Sequence, residues 1–258
     1  MQFEDIVYVG IDPKAGARPI EFAAMDKQKR VIVLDRNNVE TVLAYITGLG
    51  AAMVAIAAPQ SPNQGLMRKS AIRRRYKLRS DGHTWTKWRV CEYELRRRNI
   101  RLHNTPDTLE AAPRWVQNGF LFYRRLSEMG FQAYSHGKEF DRQTYFEVSP
   151  HACYSVLLER RPLLKRTLEG RMQRQLFLYL EGLDVANPLY VLEEITRYHL
   201  LTGNLPLEGL YESDPLDALV AAYTAFLAGE EPERVCQVGE KVEGLITVPV
   251  GELLDFYP

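Results

Sequence analysis

The feature that most constrains this chain is residues 213–227, an apolar segment that begins with two aspartates, Asp214 and Asp217. Large side chains recur in it at intervals of three and four, at Leu216, Leu219, Val220, Tyr223, Phe226 and Leu227. This period predicts a helix with one buried face, and the intervening alanines allow it to pack closely against a sheet. The segment is therefore predicted to be a core helix.

The spacing alone leaves two interpretations of the aspartates open. If Asp214 is the N-cap and Pro215 the first helical residue, Asp214 and Asp217 lie at the same helix end. Acids at this end favour the helix dipole by roughly 0.3–1 kcal/mol, so both are explained as capping residues. Alternatively, the helix directs both carboxylates at a shared cation, which requires further acids from elsewhere in the chain.

Composition indicates a soluble globular protein. The 258 residues are 46% hydrophobic and 26% charged, which is ordinary for a globular domain. No apolar run approaches the roughly 18–20 residues that a membrane helix needs. The acidic residues 1–5 lead into a strand without a secretory signal. We therefore expect a cytoplasmic protein with no membrane partner and with its 3 dispersed cysteines reduced.

Opposite charges are concentrated in two parts of the chain. Residues 68–101 contain 13 Lys and Arg against three Asp and Glu, a balance of 13 − 3 = +10. Residues 181–258 have the reverse balance, 3 − 15 = −12. Such asymmetry suits a protein that meets a polyanion with one surface and collects cations at another, although solvated charge alone produces the same pattern.

The first part of the chain predicts the element order βββαβ. Apolar runs and turn residues place strands at residues 5–12, 19–25 and 30–34, a helix at 39–47 and a strand at 51–57. The first strand ends in an acid, Asp12. This carboxylate is therefore predicted to lie at a strand tip.

Residues 59–113 are predicted to form a basic insertion at the surface. Arginines and tryptophans are interleaved in it, a combination that nucleic-acid surfaces use for phosphate contact and base stacking. The candidate contact residues are Arg73, Arg74, Arg75, Trp88 and Arg89. The alternative is a solvated helix over residues 88–98 whose arginines only face water.

The remaining chain contains one acid inside a predicted strand, Glu147. Helices are predicted at about residues 114–130, 150–158, 168–180, 188–201 and 214–227, and strands at 144–148 and 245–249. A glutamate among β-branched and aromatic residues is either a half-exposed edge residue or a ligand. The 5 histidines show no metal-binding spacing, so none is assigned catalysis.

Asp12, Glu147, Asp214 and Asp217 are far apart in sequence, but a sheet flanked by helices can join them. Mg²⁺ prefers oxygen ligands and is usually held by one or two carboxylates with phosphate and water. Two such ions about 3.5–4 Å apart activate a water and stabilise the leaving oxygen of a phosphodiester. The four acids therefore predict metal-dependent cleavage of nucleic acid.

Seven blocks of the chain together resemble a family of uncharacterised proteins described as predicted RNase H-like nucleases, within the ribonuclease H-like superfamily. The blocks are residues 9–12, 54–59, 89–92, 146–152, 170–175, 214–219 and 243–249. Together these blocks span nearly the whole chain, and the resemblance rests on their order and spacing. The resolvase branch typified by RuvC is similar in its final helix, where an Asp-x-x-Asp start supplies metal ligands.

The resemblance implies one ribonuclease H-like domain over residues 1–258, with a mixed central sheet flanked by helices. The basic insertion at about 59–113 and a helical segment at about 149–203 would be parts of this domain.

The same resemblance implies a catalytic site that binds Mg²⁺ or Mn²⁺. Asp12 would bridge two ions, Glu147 and Asp217 would each hold one, and Asp214 would complete the shell or orient water. Arg89 is expected to contact substrate phosphate while Glu92 holds it through an ion pair. A purely structural salt bridge between these two residues is the alternative.

One residue departs from the family pattern. The fourth strand of the family typically resembles Ile-Asp-Ala-Pro, whereas this chain has Ile56-Ala57-Ala58-Pro59, so a carboxylate that would lie beside Asp12 is missing. The first alternative function is therefore a nucleic-acid-binding module of the same fold without effective catalysis. The second is a nucleotide-binding phosphotransferase, because kinases with a similar sheet place a phosphate-binding turn where residues 12–17 lie.

Overall fold

The computed structural model describes residues 6–14, 18–78, 85–137, 142–194 and 200–258. Its strands are β1 (Val7–Asp12), β2 (Ile20–Met25), β3 (Val31–Asn37), β4 (Ala52–Ile56), β5 (Gln132–Ala133), β6 (Gln143–Glu147), β7 (Cys236–Glu240) and β8 (Gly244–Val248). Its helices are α1 (Val39–Thr47), α2 (Ser70–Arg75), α3 (Val90–Arg97), α4 (Arg114–Glu128), α5 (Pro150–Leu157), α6 (Leu168–Leu180), α7 (Leu189–Glu194), α8 (Leu200–Thr202) and α9 (Ser213–Glu230).

The described strands form one mixed sheet in the order β3-β2-β1-β4-β6-β8-β7, with β5 beside the start of β6. β2 is antiparallel to both β1 and β3. β4 runs parallel to β1, β6 parallel to β4, and β8 parallel to β6. β7 is antiparallel to β8. The predicted βββαβ order and the mixed α/β architecture are confirmed.

α9 lies across one face of the sheet, against β1, β2 and β4. Gly10 permits this close approach, because a Cβ atom there would lie 2.1 Å from the carbonyl oxygen of Ala218 and 2.3 Å from the amide nitrogen of Ala222. A side chain at position 10 would therefore displace the helix from the strand. The backbone of α9 rests directly on β1.

α9 is a core helix, as predicted, and it is buried on more than the one face that the apolar period marks. Between Ser213 and Ala228 every residue except Asp214 is buried, because α5 and α6 also pack on this helix. A helix that is apolar all round belongs in the interior of a protein. On the opposite face of the sheet, the apolar residues of α1 and α4 pack on Val9, Ile11 and Ile56.

Part of the predicted surface insertion belongs to the core. α3 packs against β7 and β8, and Cys91 and Leu95 share a hydrophobic cluster with Val238 and Ile246. The sequence did not predict β7. The arginine-rich segment therefore has an apolar face that covers one end of the sheet.

The helical segment predicted at 149–203 contains α5 to α8. Ser149 and Thr167 cap α5 and α6 by accepting hydrogen bonds from the backbone nitrogens of Ala152 and Gly170. Within the predicted helix at 188–201, the structure describes α7 and α8, and residues 195–199 lie outside the described ranges. In the described part of the chain, no helix is both long enough and apolar enough to cross a membrane.

Candidate metal site and its cavity

Three aspartates converge where β1 ends and α9 begins. Asp12 is the last residue of β1, and Asp214 and Asp217 lie in the first turns of α9. Each offers a carboxylate oxygen, and these three oxygens lie within 4.8 Å of one another. Three of the four acids predicted to converge are thus brought together by the direct packing of α9 on β1.

Of the two interpretations of Asp214, the one that makes it the N-cap residue is wrong. Glu212 occupies the N-cap position, although its side chain makes no capping hydrogen bond, and Ser213 is the first helical residue. Asp214 lies in the first turn, where its carboxylate accepts a hydrogen bond from the Ser213 hydroxyl at 3.3 Å. A carboxylate in the first turn still favours the helix dipole, but Asp214 is not the residue that begins the helix.

Two lysines lie against the three aspartates. The Lys14 ammonium pairs with Asp12 and lies 3.1 Å from an oxygen of Asp214. The Lys165 ammonium, from the loop between α5 and α6, lies 2.6 Å from an oxygen of Asp217. Three carboxylates and two ammonium groups leave this cluster with a formal charge of −3 + 2 = −1.

The pKa values of the aspartates reflect burial and mutual repulsion. Burial, together with the charge of Asp217, raises the pKa of Asp12 to about 6, although Lys14 opposes the rise. Burial also raises the pKa of Asp217 above its usual value. Although burial alone would raise it, Lys14 and Lys165 bring the pKa of Asp214 below its usual value. The negative charge is therefore crowded, and a bound cation would relieve it.

Glu147 does not join this cluster, which corrects the predicted four-carboxylate site. Glu147 pairs in register with Ile56, and Ile56 pairs with Ile11, one residue before Asp12. Since neighbouring residues in register share a face of a sheet, Glu147 is on the side of Ile11 and Asp12 is on the other. A one-residue offset therefore separates the two acids.

The Glu147 carboxylate is instead bound by Arg89. The Arg89 guanidinium donates to both oxygens of Glu147, at 2.9 and 2.5 Å, and to Glu92 at 2.8 Å. Both glutamates and the arginine are at most 2% exposed. Burial raises the pKa of Glu147 even though Arg89 opposes the rise. The predicted Arg89–Glu92 ion pair is present. Because the Arg89 guanidinium already donates to two carboxylates and to the carbonyl of Glu243, a structural salt bridge fits this arrangement and a phosphate contact does not.

Backbone amides complete this network. The nitrogen of Gln60 donates to Glu147 at 2.7 Å, and the nitrogen of Thr105 donates to Glu92 at 3.1 Å. A third buried acid, Glu243, accepts from the nitrogens of Leu66 and Val90, each at 3.0 Å. We call Arg89, Glu92, Glu147 and Glu243 the sealed network. It ties the loops of the basic segment to β6 and to the turn before β8.

Ala57 lies beside the aspartates, as the missing carboxylate of the family pattern would. It follows β4 directly, its nitrogen donates to the Ile11 carbonyl at 2.8 Å, and it faces the α9 side of the sheet with the core there. Glu21 also lies on that side, directly opposite Asp12 on β2. Its carboxylate accepts from Arg36 at 2.7 Å and does not belong to the three-aspartate cluster.

A cavity of about 770 Å³ opens over the aspartates. Besides the acids, its walls carry cations and aromatic rings. These lining residues are Lys14, Arg18, Arg89, Arg101, His103, Trp115, His151, Arg161, Lys165, Arg166 and Arg174. The His103 and Trp115 rings lie 5.5 Å apart, edge to face. The cavity therefore combines an acidic floor with basic and aromatic walls.

Two lining residues show how strongly positive one wall is. Burial and then the charges of Arg174, Arg161 and Lys165 lower the pKa of His151 to about 4. Arg174 is 3% exposed, and its guanidinium donates to the carbonyls of Leu163 and Gly170 at 2.9 and 2.7 Å. Its Nε has no hydrogen-bond partner among the described residues. Burial lowers the pKa of Arg174 as well.

Four of the five predicted nucleic-acid contact residues do not line this cavity, and the fifth, Arg89, is part of its wall but only 1% exposed. Arg73, Arg74 and Arg75 form α2, which does not line the cavity, and Arg75 pairs with Glu240 of β7. Trp88 is only 7% exposed, with the Arg96 guanidinium 4.5 Å from its ring centroid. A stacking role for Trp88 does not fit this burial. Contact between α2 and nucleic acid stays a prediction.

Sequence reasoning did not assign the two lysines or Arg174 to this site. Lys14 follows Asp12 by two residues and lies in the candidate phosphate-binding turn at residues 12–17, but neither signal assigned it to the aspartates. Arg174 lies in one of the blocks that carry the family resemblance, which singles out its segment without indicating a role. Lys165 lies in a loop with several basic residues and no motif that distinguishes one of them. Only the fold therefore shows that Lys165 lies against Asp217.

Fold and site together define an α/β protein with three convergent carboxylates at the end of a central strand, inside a cavity with basic walls. More particularly, the chain belongs to the family described as "Protein of unknown function (DUF429)", whose model matches residues 10–241. That range contains all three aspartates and three members of the sealed network. Comparison with curated proteins and with solved structures gave no match.

Proposed function

We propose that this protein has a ribonuclease H-like fold and hydrolyses phosphodiester bonds of nucleic acid with a divalent cation, Mg²⁺ or Mn²⁺, held by Asp12, Asp214 and Asp217. The observation that carries the proposal is the convergence of these three carboxylates within 4.8 Å inside an open cavity. The βββαβ order, with β1 central and β2 antiparallel to it, supports the fold assignment. A fold alone does not determine an activity, so the proposed activity rests on the residues of the site.

The donor set fits such a cation. Carboxylate oxygens are the ligands that Mg²⁺ and Mn²⁺ prefer, and the raised pKa of Asp12 reflects negative charge that an ion would neutralise. Lys14 and Lys165 compete for the same oxygens. Both are long flexible side chains, so they can give way to an ion and turn towards a substrate phosphate.

A divalent ion at this place would stabilise negative charge on the phosphate and lower the pKa of water. The chain itself supplies orientation. Asp214 has the most exposed carboxylate of the three, with 34% of its side chain accessible, and it can accept a hydrogen bond from water in the cavity. Asp12 and Asp217 are held by strand and helix, which limits their movement.

The structure favours one ion over the two-ion arrangement expected from sequence. A second ion would need further carboxylates, and Glu147 is occupied by Arg89 on the other face of the sheet. Position 57, where the family pattern has an aspartate, carries no ligand. We therefore propose a single divalent ion at the three aspartates.

The test measures Mn²⁺ binding by calorimetry, and cleavage of single-stranded, duplex, hybrid and branched substrates with Mg²⁺ or Mn²⁺. Asp217→Asn should abolish both, whereas Glu147→Gln should leave Mn²⁺ affinity within about twofold because Glu147 is not a ligand. Asp35→Asn, at an exposed position of β3, is the matched charge control. Absence of cleavage across the whole panel would rule out the nuclease proposal.

A second candidate is a nucleic-acid-binding module without turnover. Ala57 and the two lysine pairs favour it, because the aspartates are already partly neutralised without a metal ion. Strand binding that persists in chelator, with no cleavage in Mg²⁺ or Mn²⁺, would identify this function. A phosphotransferase has less support, since Lys14 of the candidate turn pairs with aspartates. The rest of that turn, residues 15–17, lies outside the described ranges.

A further inference from the structure

The wall of the cavity beside Asp217 contains more positive charge than its surroundings neutralise. His151, Arg161, Lys165 and Arg174 all line it. Among the described residues, neither Arg161 nor Arg174 forms an ion pair with a carboxylate, and only Lys165 has one, to Asp217. An excess of cations in a concave wall is the usual form of an anion-binding surface.

The guanidinium of Arg174 is held in place in this wall. The guanidinium carbon lies 5.2 Å from the centroid of the Tyr154 ring, and two backbone carbonyls accept from it. Arg174 is buried, yet no carboxylate forms an ion pair with it in the described part of the chain, and its Nε has no hydrogen-bond partner there. The charge of Asp217 reaches Arg174, but no carboxylate of the described residues contacts it. A buried guanidinium without such a contact is costly, and a bound anion would offset that cost.

A second wall offers a surface for a base. Trp115 is partly exposed and His103 is exposed, and Arg18 and Arg101 are exposed beside them. Aromatic rings interleaved with arginines are how proteins hold single-stranded nucleic acid, with bases on the rings and phosphates on the cations. A base can reach such a ring only after it has left its own helical stack.

The volume of the cavity also fits a short single-stranded segment. A volume of about 770 Å³ lies within the range of about 300–1,000 Å³ typical of sites for drug-sized molecules, which is the scale of nucleotides and not of a duplex. We infer that this cavity binds a single-stranded nucleic-acid segment, with one phosphate on Arg161, Lys165 and Arg174 and a base on Trp115. This inference rests on the proposed function for its nucleic-acid substrate, and it names single strands as the substrate class.

The experiment measures binding in chelator, so that its outcome does not depend on catalysis. A fluorescently labelled single-stranded oligonucleotide is titrated with the full-length protein and followed by anisotropy at several salt concentrations. Arg161→Gln is compared with Arg160→Gln. Both positions are exposed and make the same charge change, but only Arg161 lines the cavity.

Arg161→Gln should raise the Kd about fivefold to tenfold and lower the salt slope by about 0.7, the value for one lost phosphate contact on a single strand. Arg160→Gln should change neither quantity. Trp115→Ala should weaken binding about tenfold through lost stacking. Arg174→Gln should weaken binding like Arg161→Gln, and its thermal unfolding shows whether the variant is folded. Arg161 is the independent test if it is not.

Three results would overturn the inference. They are equal effects of Arg160→Gln and Arg161→Gln, duplex binding as tight as single-strand binding, and displacement of the strand by a nucleoside monophosphate that binds as tightly as the strand. The last result would assign the cavity to a free nucleotide. Because no metal is present, loss of cleavage in Asp217→Asn leaves this outcome unaffected, and the two proposals can fail separately.

Discussion

The open aspartate cluster and the sealed network contain the same chemical groups in opposite situations. Glu92, Glu147 and Glu243 receive hydrogen bonds from Arg89 or from backbone amides and are closed to solvent. Asp12, Asp214 and Asp217 lie at the floor of a cavity, and in the described part of the chain their ion pairs are with two lysines, Lys14 and Lys165. Acids saturated by fixed donors hold the fold together, whereas acids held by displaceable partners remain available to a ligand.

The largest expected effect comes from opening the sealed network. Arg89→Ala removes the cation from two buried carboxylates, so it should lower the free energy of unfolding by about 3–5 kcal/mol, the usual result of breaking a buried ion pair. Urea denaturation measures the loss. Arg160→Ala, at an exposed position, should change stability by less than about 0.5 kcal/mol. An Arg89→Ala protein of unchanged stability with weakened substrate binding would contradict the structural role of Arg89.

Neutralising an acid of the open aspartate cluster should raise the free energy of unfolding, whereas opening the sealed network should lower it. The pKa of Asp12 rises from 3.8 to about 6 on folding, so its contribution to stability is complete below pH 3.8 and is lost as pH rises through 6. At pH 8, the ionised carboxylate then costs up to about 3 kcal/mol.

Asp12→Asn should therefore stabilise the metal-free protein at pH 8 by about 1–3 kcal/mol, since the raised pKa of Asp12 already includes the opposing effect of Lys14. The advantage should shrink by pH 5. Chemical denaturation in chelator at both pH values measures it. A variant that is less stable than the wild type at pH 8 would mean that Lys14 more than compensates the buried charge.

Restoring the family carboxylate should enlarge the open cluster. Ala57→Asp places an acid on the α9 side of the sheet beside Asp12, so Mn²⁺ affinity should increase about tenfold through the added ligand charge. Calorimetry measures the affinity, and Ala57→Asn controls for side-chain size. Equal affinities of the Asp and Asn variants would show that position 57 does not reach the ion.

The elements that could be predicted from the sequence are those set by local signals. The bounds of α1 and α6 follow from local signals, apolar period and capping residues, and both were predicted closely. β7 was not predicted, because its alternation of buried and exposed residues is weak and its place in the sheet depends on pairing with β8. Convergence of Asp12 with the two α9 aspartates was predicted because each lies at the end of a strongly apolar element.

Glu147 could not be separated from these acids by sequence. It lies at a strand end like Asp12, and only the register of β4 between β1 and β6 places the two carboxylates on opposite faces. The contribution of Lys165 to the site depends on a contact across 52 residues of sequence. Register and long-range packing are properties of the folded chain, so no local pattern encodes them.

The most direct test is a crystal soaked in Mn²⁺ and measured for anomalous scattering. We predict a single peak about 2.0–2.2 Å from carboxylate oxygens of Asp12, Asp214 and Asp217, with Lys14 and Lys165 turned away and the Glu147–Arg89 pair unchanged. No peak at the three aspartates, or a peak bonded to Glu147, would contradict the division between an open metal-binding cluster and a sealed structural network.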